Sequence, residues 1–119
     1  MNVADYTLKF LSDRGVRSIF MVTGGQAMFL NDAVYRAKKI EPIFCHHEQA
    51  VGMAAEAYAR TKGTIGVAMV TAGPGAVNVL NGWPLKTVRV LYGSRFPWIY
   101  KEWKFRRIYS HHLKYLKVI

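Results

Sequence analysis

A chain of 119 residues, 51% of them hydrophobic, is long enough for one domain with a buried core and too short for two. Its single cysteine, Cys45, excludes an internal disulfide and favours a reducing compartment, the cytoplasm. Charged residues interrupt every apolar run, so neither a transmembrane helix nor a signal peptide is expected. The net charge of +10 is uneven, because nine basic residues and one acidic residue follow Trp83, against eight and six up to that position.

The apolar pattern predicts alternating helices and strands up to about residue 82. In chain order it indicates a helix that ends at Gly15, a strand over 18–22, a helix from Met28 to Ala37, a strand over 40–45, a helix over 47–62, a strand over 65–70 and a helix from about Ala76. Strands separated by helices predict an α/β fold with a partial, doubly wound parallel sheet. Ligands of such sheets bind at the carboxyl ends of the strands.

Three segments follow the predicted strands and therefore point to one edge of the sheet. They are the turn Thr23–Gly25, the acid Glu48 and the segment Thr71–Gly75. Because the carboxyl ends of parallel strands share an edge, we expect these three segments to lie near each other.

Glu48 has two interpretations. An acid in the first turn of a helix is commonly a favourable partner for the helix dipole and nothing more. Alternatively, a carboxylate at a strand-to-helix junction, beside an apolar wall of small residues, is suited to share a proton with a ligand nitrogen.

The segment TAGPG, residues 71–75, also allows two interpretations. Its glycines are typical of a tight turn, and they also let backbone approach a ligand closely before a helix N-terminus. It matches neither a GxGxxG fingerprint nor a phosphate-binding GK[ST] loop. No metal ligands are predicted, because the neighbours His46 and His47 lack further Cys or His at ligand spacing.

Together, DYTLKFLSDRGVRSIFMVTGG, HHEQAVGMAAEAYAR and TAGPGAVNVLNG resemble, in this order and spacing, the N-terminal pyrimidine-binding domain of thiamine-diphosphate enzymes. The resemblance is greatest to acetolactate synthase large subunits, which are transferases (carboligases) acting on 2-keto acids such as pyruvate. It covers residues 1–82 and is carried by three motifs in register.

The resemblance implies thiamine diphosphate as the cofactor and Glu48 as the catalytic residue. In the family, the matching glutamate hydrogen-bonds a ring nitrogen of the aminopyrimidine and so promotes deprotonation of the thiazolium carbon. The cofactor-binding residues implied by the match are Gly24, Gly25, Glu48, Thr71, Gly73, Pro74 and Asn78.

The sequence departs from the family in two respects. The family holds the diphosphate through Mg²⁺ in a separate domain marked by Gly-Asp-Gly, a tripeptide that does not occur in this chain. Its active site also forms between subunits of a homodimer or tetramer. We therefore expect residues 1–83 to be a fragment, a partial pyrimidine-binding domain that is inactive alone.

Residues 84–119 do not follow the family pattern and are expected to form an irregular or helical basic tail. The partial sheet then has an open edge, part of which the tail could cover with Val88, Val90, Leu91, Phe96 and Ile99. Aromatic and basic residues alternate in FPWIYKEWKFRRIY, which is compatible with a module binding nucleic acid or an anionic membrane. We favour a third interpretation, an out-of-frame or non-homologous segment, because the resemblance stops within a helix and not at a domain boundary. Nucleic acid is accordingly not expected as a partner, and a small basic binding protein is the alternative function.

Overall fold

The computed structural model describes residues 3–80 and 88–93, and in these residues helices and strands alternate. A short 3-10 helix over Gly25–Ala27 precedes the second α-helix. The elements are α1 Val3–Asp13, β1 Ser18–Met21, α2 Met28–Arg36, β2 Glu41–Phe44, α3 Glu48–Lys62, β3 Gly66–Thr71, α4 Pro74–Val79 and β4 Val88–Gly93.

The described strands form one parallel sheet in the order β2-β1-β3-β4. The chain leaves β1 through α2 toward β2 on one side, and leaves β3 through α4 toward β4 on the other. The direction of winding therefore reverses between β1 and β3. This point, which we call the switch point, is where doubly wound sheets bind ligands. The predicted α/β fold with a doubly wound parallel sheet is confirmed.

The two central strands are buried on both faces, which explains their continuous apolar sequences. One face, with Ile19 and Met21 of β1, packs against buried residues of α1 and α2. The other, with Phe20 of β1, packs against Val51 and Ala55 of α3. In contrast, β2 is exposed or half-buried along its length, as expected for a strand that pairs only with β1 in the described residues.

Helix α3 has defined ends and a close contact with the sheet. The ring nitrogen Nδ1 of His47 accepts a hydrogen bond from the backbone N–H of Gln49 at 3.1 Å, which caps the helix start. Gly63, at a φ of 63°, ends it in the left-handed conformation. A Cβ at Gly66 of β3 would overlap the carbonyl oxygen of Ala55, so a glycine is required for α3 to lie this close to β3.

The expectation of an irregular or helical tail is wrong for one segment. Residues Val88–Gly93 form β4, which pairs with β3 over its whole length, from Gly66 opposite Val88 to Thr71 opposite Gly93. The strand covers the edge of β3 that would otherwise be open, and it includes Val88, Val90 and Leu91, which were expected to cover part of that edge. The physical reason is a short run rich in β-branched and other apolar residues, VRVLYG, and Val88 is only 2% exposed. The rest of the predicted tail, 84–87 and 94–119, lies outside the described residues.

Among the helices of the described residues, none has the length and apolar character needed to cross a membrane.

Candidate functional site

Thr71, the last residue of β3, lies against the turn that follows β1. A Cβ built on Gly24 would lie 2.5 Å from the Cβ of Thr71 and 2.8 Å from its Oγ1. Both distances are far shorter than a van der Waals contact, so only a glycine fits at position 24. The turn after β1 and the end of β3 thus meet at the switch point.

Thr71 also contacts the start of α4, which in turn contacts Glu48. A Cβ built on Gly75 would lie 3.0 Å from Cγ2 of Thr71 and 3.2 Å from Oε1 of Glu48. Glu48 is the first residue of α3 and is half-buried. Gly24, Thr71, Gly75 and Glu48 therefore form one continuous group, which we call the switch-point cluster.

The backbone around Glu48 is held on both sides. The N–H of Cys45 donates to the carbonyl of Met21 at 2.9 Å, which extends the pairing of β1 and β2 one residue beyond β2. The cap from His47 then fixes the first turn of α3. Since α3 is anchored by its buried residues in the sheet, the Glu48 side chain projects from a rigid support.

The turn at Gly24 is held from α2. The carbonyl oxygen of Gly24 accepts hydrogen bonds from the N–H of Ala27 at 3.0 Å and from Nδ2 of Asn31 at 3.4 Å. Within the described part of the chain, the buried Oδ1 of Asn31 has no hydrogen-bond partner. The sequence analysis did not identify Asn31 as a residue near the candidate site, because nothing in the residue spacing shows that α2 lies against the turn after β1.

The sequence analysis placed all four members of the switch-point cluster at this edge, Gly75 as part of the segment Thr71–Gly75, but named only Gly24, Glu48 and Thr71 among the cofactor-binding residues. The other predicted residues lie at its margin. Gly25 and Gly73 are exposed, with nothing within 4 Å of a Cβ added to either, and Pro74 is the first residue of α4. Gly73 has a φ of 78°, which fits the tight-turn interpretation. Asn78 is half-buried on α4, one turn beyond Gly75.

Among the described residues, the side chains whose pKa is clearly shifted lie away from the switch-point cluster, on α1 and α2. Hydrogen bonds to Asp5 and then to Asp32 raise the pKa of Arg36. A hydrogen bond from Lys9 lowers the pKa of Asp13. Four of these charged residues, Asp5, Lys9, Asp13 and Arg36, border a groove of about 340 Å³ between α1 and the end of α2, which contains none of the predicted site residues. In residues 3–80 and 88–93, no group of three or more His, Cys, Asp or Glu side chains is arranged to hold a metal ion.

Comparison with known protein families shows to which family this chain belongs. The model of a family described as "Thiamine pyrophosphate enzyme, N-terminal TPP binding domain" matches residues 1–83, more than half of the chain. The chain belongs to this family. The resemblance seen in the three sequence motifs is thereby confirmed, whereas β4 lies beyond the matched residues.

Several acetolactate synthases are similar to this member of the family. Identity is 42% over 82 residues with the acetolactate synthase isozyme 2 large subunit of Escherichia coli K12, covering 69% of this chain and 15% of that protein. It is 39% over 79 residues with the large subunit of Buchnera aphidicola subsp. Schizaphis graminum, covering 66% and 14%. With the chloroplastic acetolactate synthase of Arabidopsis thaliana it is 38% over 79 residues, covering 66% and 12%. The chain thus matches between 12% and 15% of the length of these relatives.

Proposed function

We propose that the switch-point cluster binds the aminopyrimidine ring of thiamine diphosphate, as the pyrimidine side of an acetolactate synthase-like 2-keto acid carboligase. The observation that carries the proposal is that Gly24 and Gly75 both lie against Thr71 and that the Glu48 carboxylate lies against Gly75. At both glycines a Cβ would press against these groups, so bare backbone of two turns comes together near the half-buried carboxylate. Bare backbone near a carboxylate lets a flat heterocycle that carries a ring nitrogen approach closely.

Glu48 is the residue to which we assign the proton exchange. Its carboxylate accepts a hydrogen bond from the protonated ring nitrogen, and its half-buried position reduces competition from water. A hydrogen bond to a charged group contributes about 1.5–3 kcal/mol. When bound, the cofactor supplies a thiazolium carbon that attacks the 2-keto acid. The protein's part is to hold the ring and to move one proton at Glu48.

The structural alternative for Glu48 is a dipole partner at the start of α3. That role needs only the helix N-terminus of α3. It does not need a glycine of α4 against the carboxylate, or a threonine of β3 beside that glycine. The contacts that α3 alone does not require therefore favour the binding function.

The margin of the cluster completes the proposed site. Gly25, Gly73, Pro74 and Asn78 are proposed to line the pyrimidine pocket. The diphosphate and Mg²⁺ are proposed to be held by a separate Gly-Asp-Gly-bearing domain, since that tripeptide does not occur in the 119 residues. The chain alone is therefore not expected to show transferase activity.

We propose that the site is completed between subunits of a homodimer or tetramer in the cytoplasm. Met28 and Phe29, which directly follow the Gly25–Ala27 turn, are exposed, and so is Val77 on α4. Exposed apolar side chains beside a polar site are typical of an interaction surface. Sedimentation of the full chain over a range of concentrations tests this, and a monomer at every concentration would contradict it.

The binding proposal is tested by nuclear magnetic resonance on the isotopically labelled full chain. Thiamine, thiamine diphosphate with Mg²⁺, and the free aminopyrimidine are titrated in turn. We expect the backbone signals of Gly24, Glu48, Thr71 and Gly75 to shift with all three, because the pyrimidine is their common part. In Glu48→Gln the affinity should fall about tenfold or more, through loss of the charged acceptor.

A chimera tests the chemistry. Residues 3–80 of this chain replace the matching segment of the Escherichia coli large subunit, and hydrogen exchange at the thiazolium carbon is measured. Glu48→Gln should slow this exchange greatly, while the matched change Glu56→Gln on the same helix should not. Unchanged exchange in Glu48→Gln would refute the assigned role.

A further inference from the structure

We infer that Gly75 is a positioning residue for Glu48, because the lack of a side chain at position 75 lets the Glu48 carboxylate lie against the start of α4. The inference rests on the proposed function, in which Glu48 is the residue that meets the cofactor. It concerns the second glycine of the Gly73-Pro74-Gly75 segment, which the sequence analysis placed at this edge of the sheet without giving Gly75 a role of its own.

The geometry leaves no room for a methyl group at this position. A Cβ at residue 75 would lie 3.0 Å from Cγ2 of Thr71 and 3.2 Å from Oε1 of Glu48. Non-bonded atoms are optimally spaced at about 3.5–4.0 Å, so both contacts are too short. If a methyl group is added, both contacts must lengthen by a few tenths of an ångström, and the neighbour that can move is displaced.

Thr71 is the neighbour that cannot retreat. Its backbone is paired in the sheet with Gly93 of β4, and its side chain lies directly against Gly24 on the opposite side. The Glu48 carboxylate, in contrast, is the free end of a flexible side chain with several staggered rotamers. An added methyl group at position 75 is therefore held off by Thr71 on one side and displaces the Glu48 carboxylate on the other.

The fold itself should tolerate the change. Gly75 is the second residue of α4, and its φ is not positive. Alanine is a better helix former than glycine, so α4 is not weakened by the exchange. Gly75→Ala is thus a local change whose main effect is on the direction of the Glu48 side chain.

The test follows the carboxyl carbon signal of Glu48 by nuclear magnetic resonance in the full chain, assigned by its loss in Glu48→Gln. Gly75→Ala should shift this signal. The matched control, Gly25→Ala, adds the same methyl group where no atom lies within 4 Å and should leave it in place. Thr71→Ser removes Cγ2, so the double variant Gly75→Ala/Thr71→Ser should return the signal toward its wild-type position.

A cycle of unfolding measurements covers the case in which Gly75→Ala folds with reduced stability. If the methyl group conflicts with the carboxylate, the exchange at residue 75 should be less harmful in a Glu48→Ala background than in the wild type. Equal harm in both backgrounds, or a Glu48 signal that Gly75→Ala does not move, would overturn the inference.

The outcomes separate this inference from the proposed function. If Gly75→Ala moves Glu48 but thiamine leaves all signals of the cluster unchanged, the positioning role stands and the proposed function fails. If thiamine binding depends on Glu48 while Gly75→Ala leaves the Glu48 signal in place, the proposed function stands and the positioning role fails.

Discussion

Gly66→Ala is the substitution that tests the packing beneath the site most directly. The added Cβ would overlap the carbonyl oxygen of Ala55 and would lie 2.8 Å from its carbonyl carbon and 3.2 Å from Cβ of Ala59. The first obstacle is backbone in the middle of α3, which cannot rotate away as a side chain can. The helix must therefore move away from β3 by on the order of 1 Å to restore ordinary contacts.

The size of the effect follows from two opposing contributions. Overpacking of this kind lowers the free energy of unfolding by about 3 kcal/mol, because a movement of α3 disturbs all of its buried contacts with the sheet. Alanine has less conformational freedom than glycine in the unfolded chain, which offsets about 0.5–1 kcal/mol of this loss. We expect a net loss of about 2 kcal/mol in the free energy of unfolding, or about a thirtyfold rise in the unfolded fraction.

Urea unfolding followed by far-ultraviolet circular dichroism measures this loss. Gly25→Ala is the matched control, with no atom within 4 Å of the new methyl group, and should stay within about 0.5 kcal/mol of the wild type. Adding Ala59→Gly to Gly66→Ala should not restore stability, since the Ala55 carbonyl remains. If Gly66→Ala is as stable as Gly25→Ala, α3 does not pack against β3 as described.

Two further expectations concern the first turn of α3 and a surface ion pair. His47→Ala removes the acceptor for the Gln49 N–H and should lower the free energy of unfolding by about 1 kcal/mol. The control His47→Asn should retain most of the cap. Equal unfolding curves for the wild type and His47→Ala would contradict the cap. Lys9→Met should raise the pKa of Asp13 toward its ordinary value of 3.8, measured by nuclear magnetic resonance titration. Because pairing lowers the folded-state pKa, the contribution of the pair to stability is present above the unfolded-state pKa and is lost as the pH falls through the folded-state value. The stability difference between wild type and Lys9→Met should therefore disappear in acid, and one that persists there would contradict this assignment.

The central part of the fold could be predicted because its strands are buried on both faces. The apolar runs around Ile19 and Met69 predicted β1 and β3 to within about a residue at each end. In contrast, β4 was missed. Its six residues are mostly apolar, but we gave more weight to the basic charge and to the departure from the family pattern after Trp83. Its pairing with β3 is a long-range contact, which local periodicity does not show.

The sequence predicted at which edge of the sheet the candidate site lies, but it did not predict which residues of the site touch each other. Parallel topology places the ends of β1, β2 and β3 on the same side, and this brought Gly24, Glu48 and Thr71 into one hypothesis. Which of these residues touch depends on the strand order, and the sequence does not state that order. Gly75 was placed at this edge but given no individual role for the same reason, because its significance comes from two neighbours on other elements.

The strand order also has a consequence for how the molecule assembles. Phe20 pairs with Ile43 and Ala68 with Val90, each across one helical crossover, but Phe20 pairs with Ala68 across 48 residues of chain. Closing the longest loop costs the most entropy, so we expect β1–β2 and β3–β4 to form as separate halves before they join. The contact of Gly24 with Thr71 spans that last junction. In this order of events the switch-point cluster forms only in the final folding step, and we expect a kinetic intermediate with native helices to lack it.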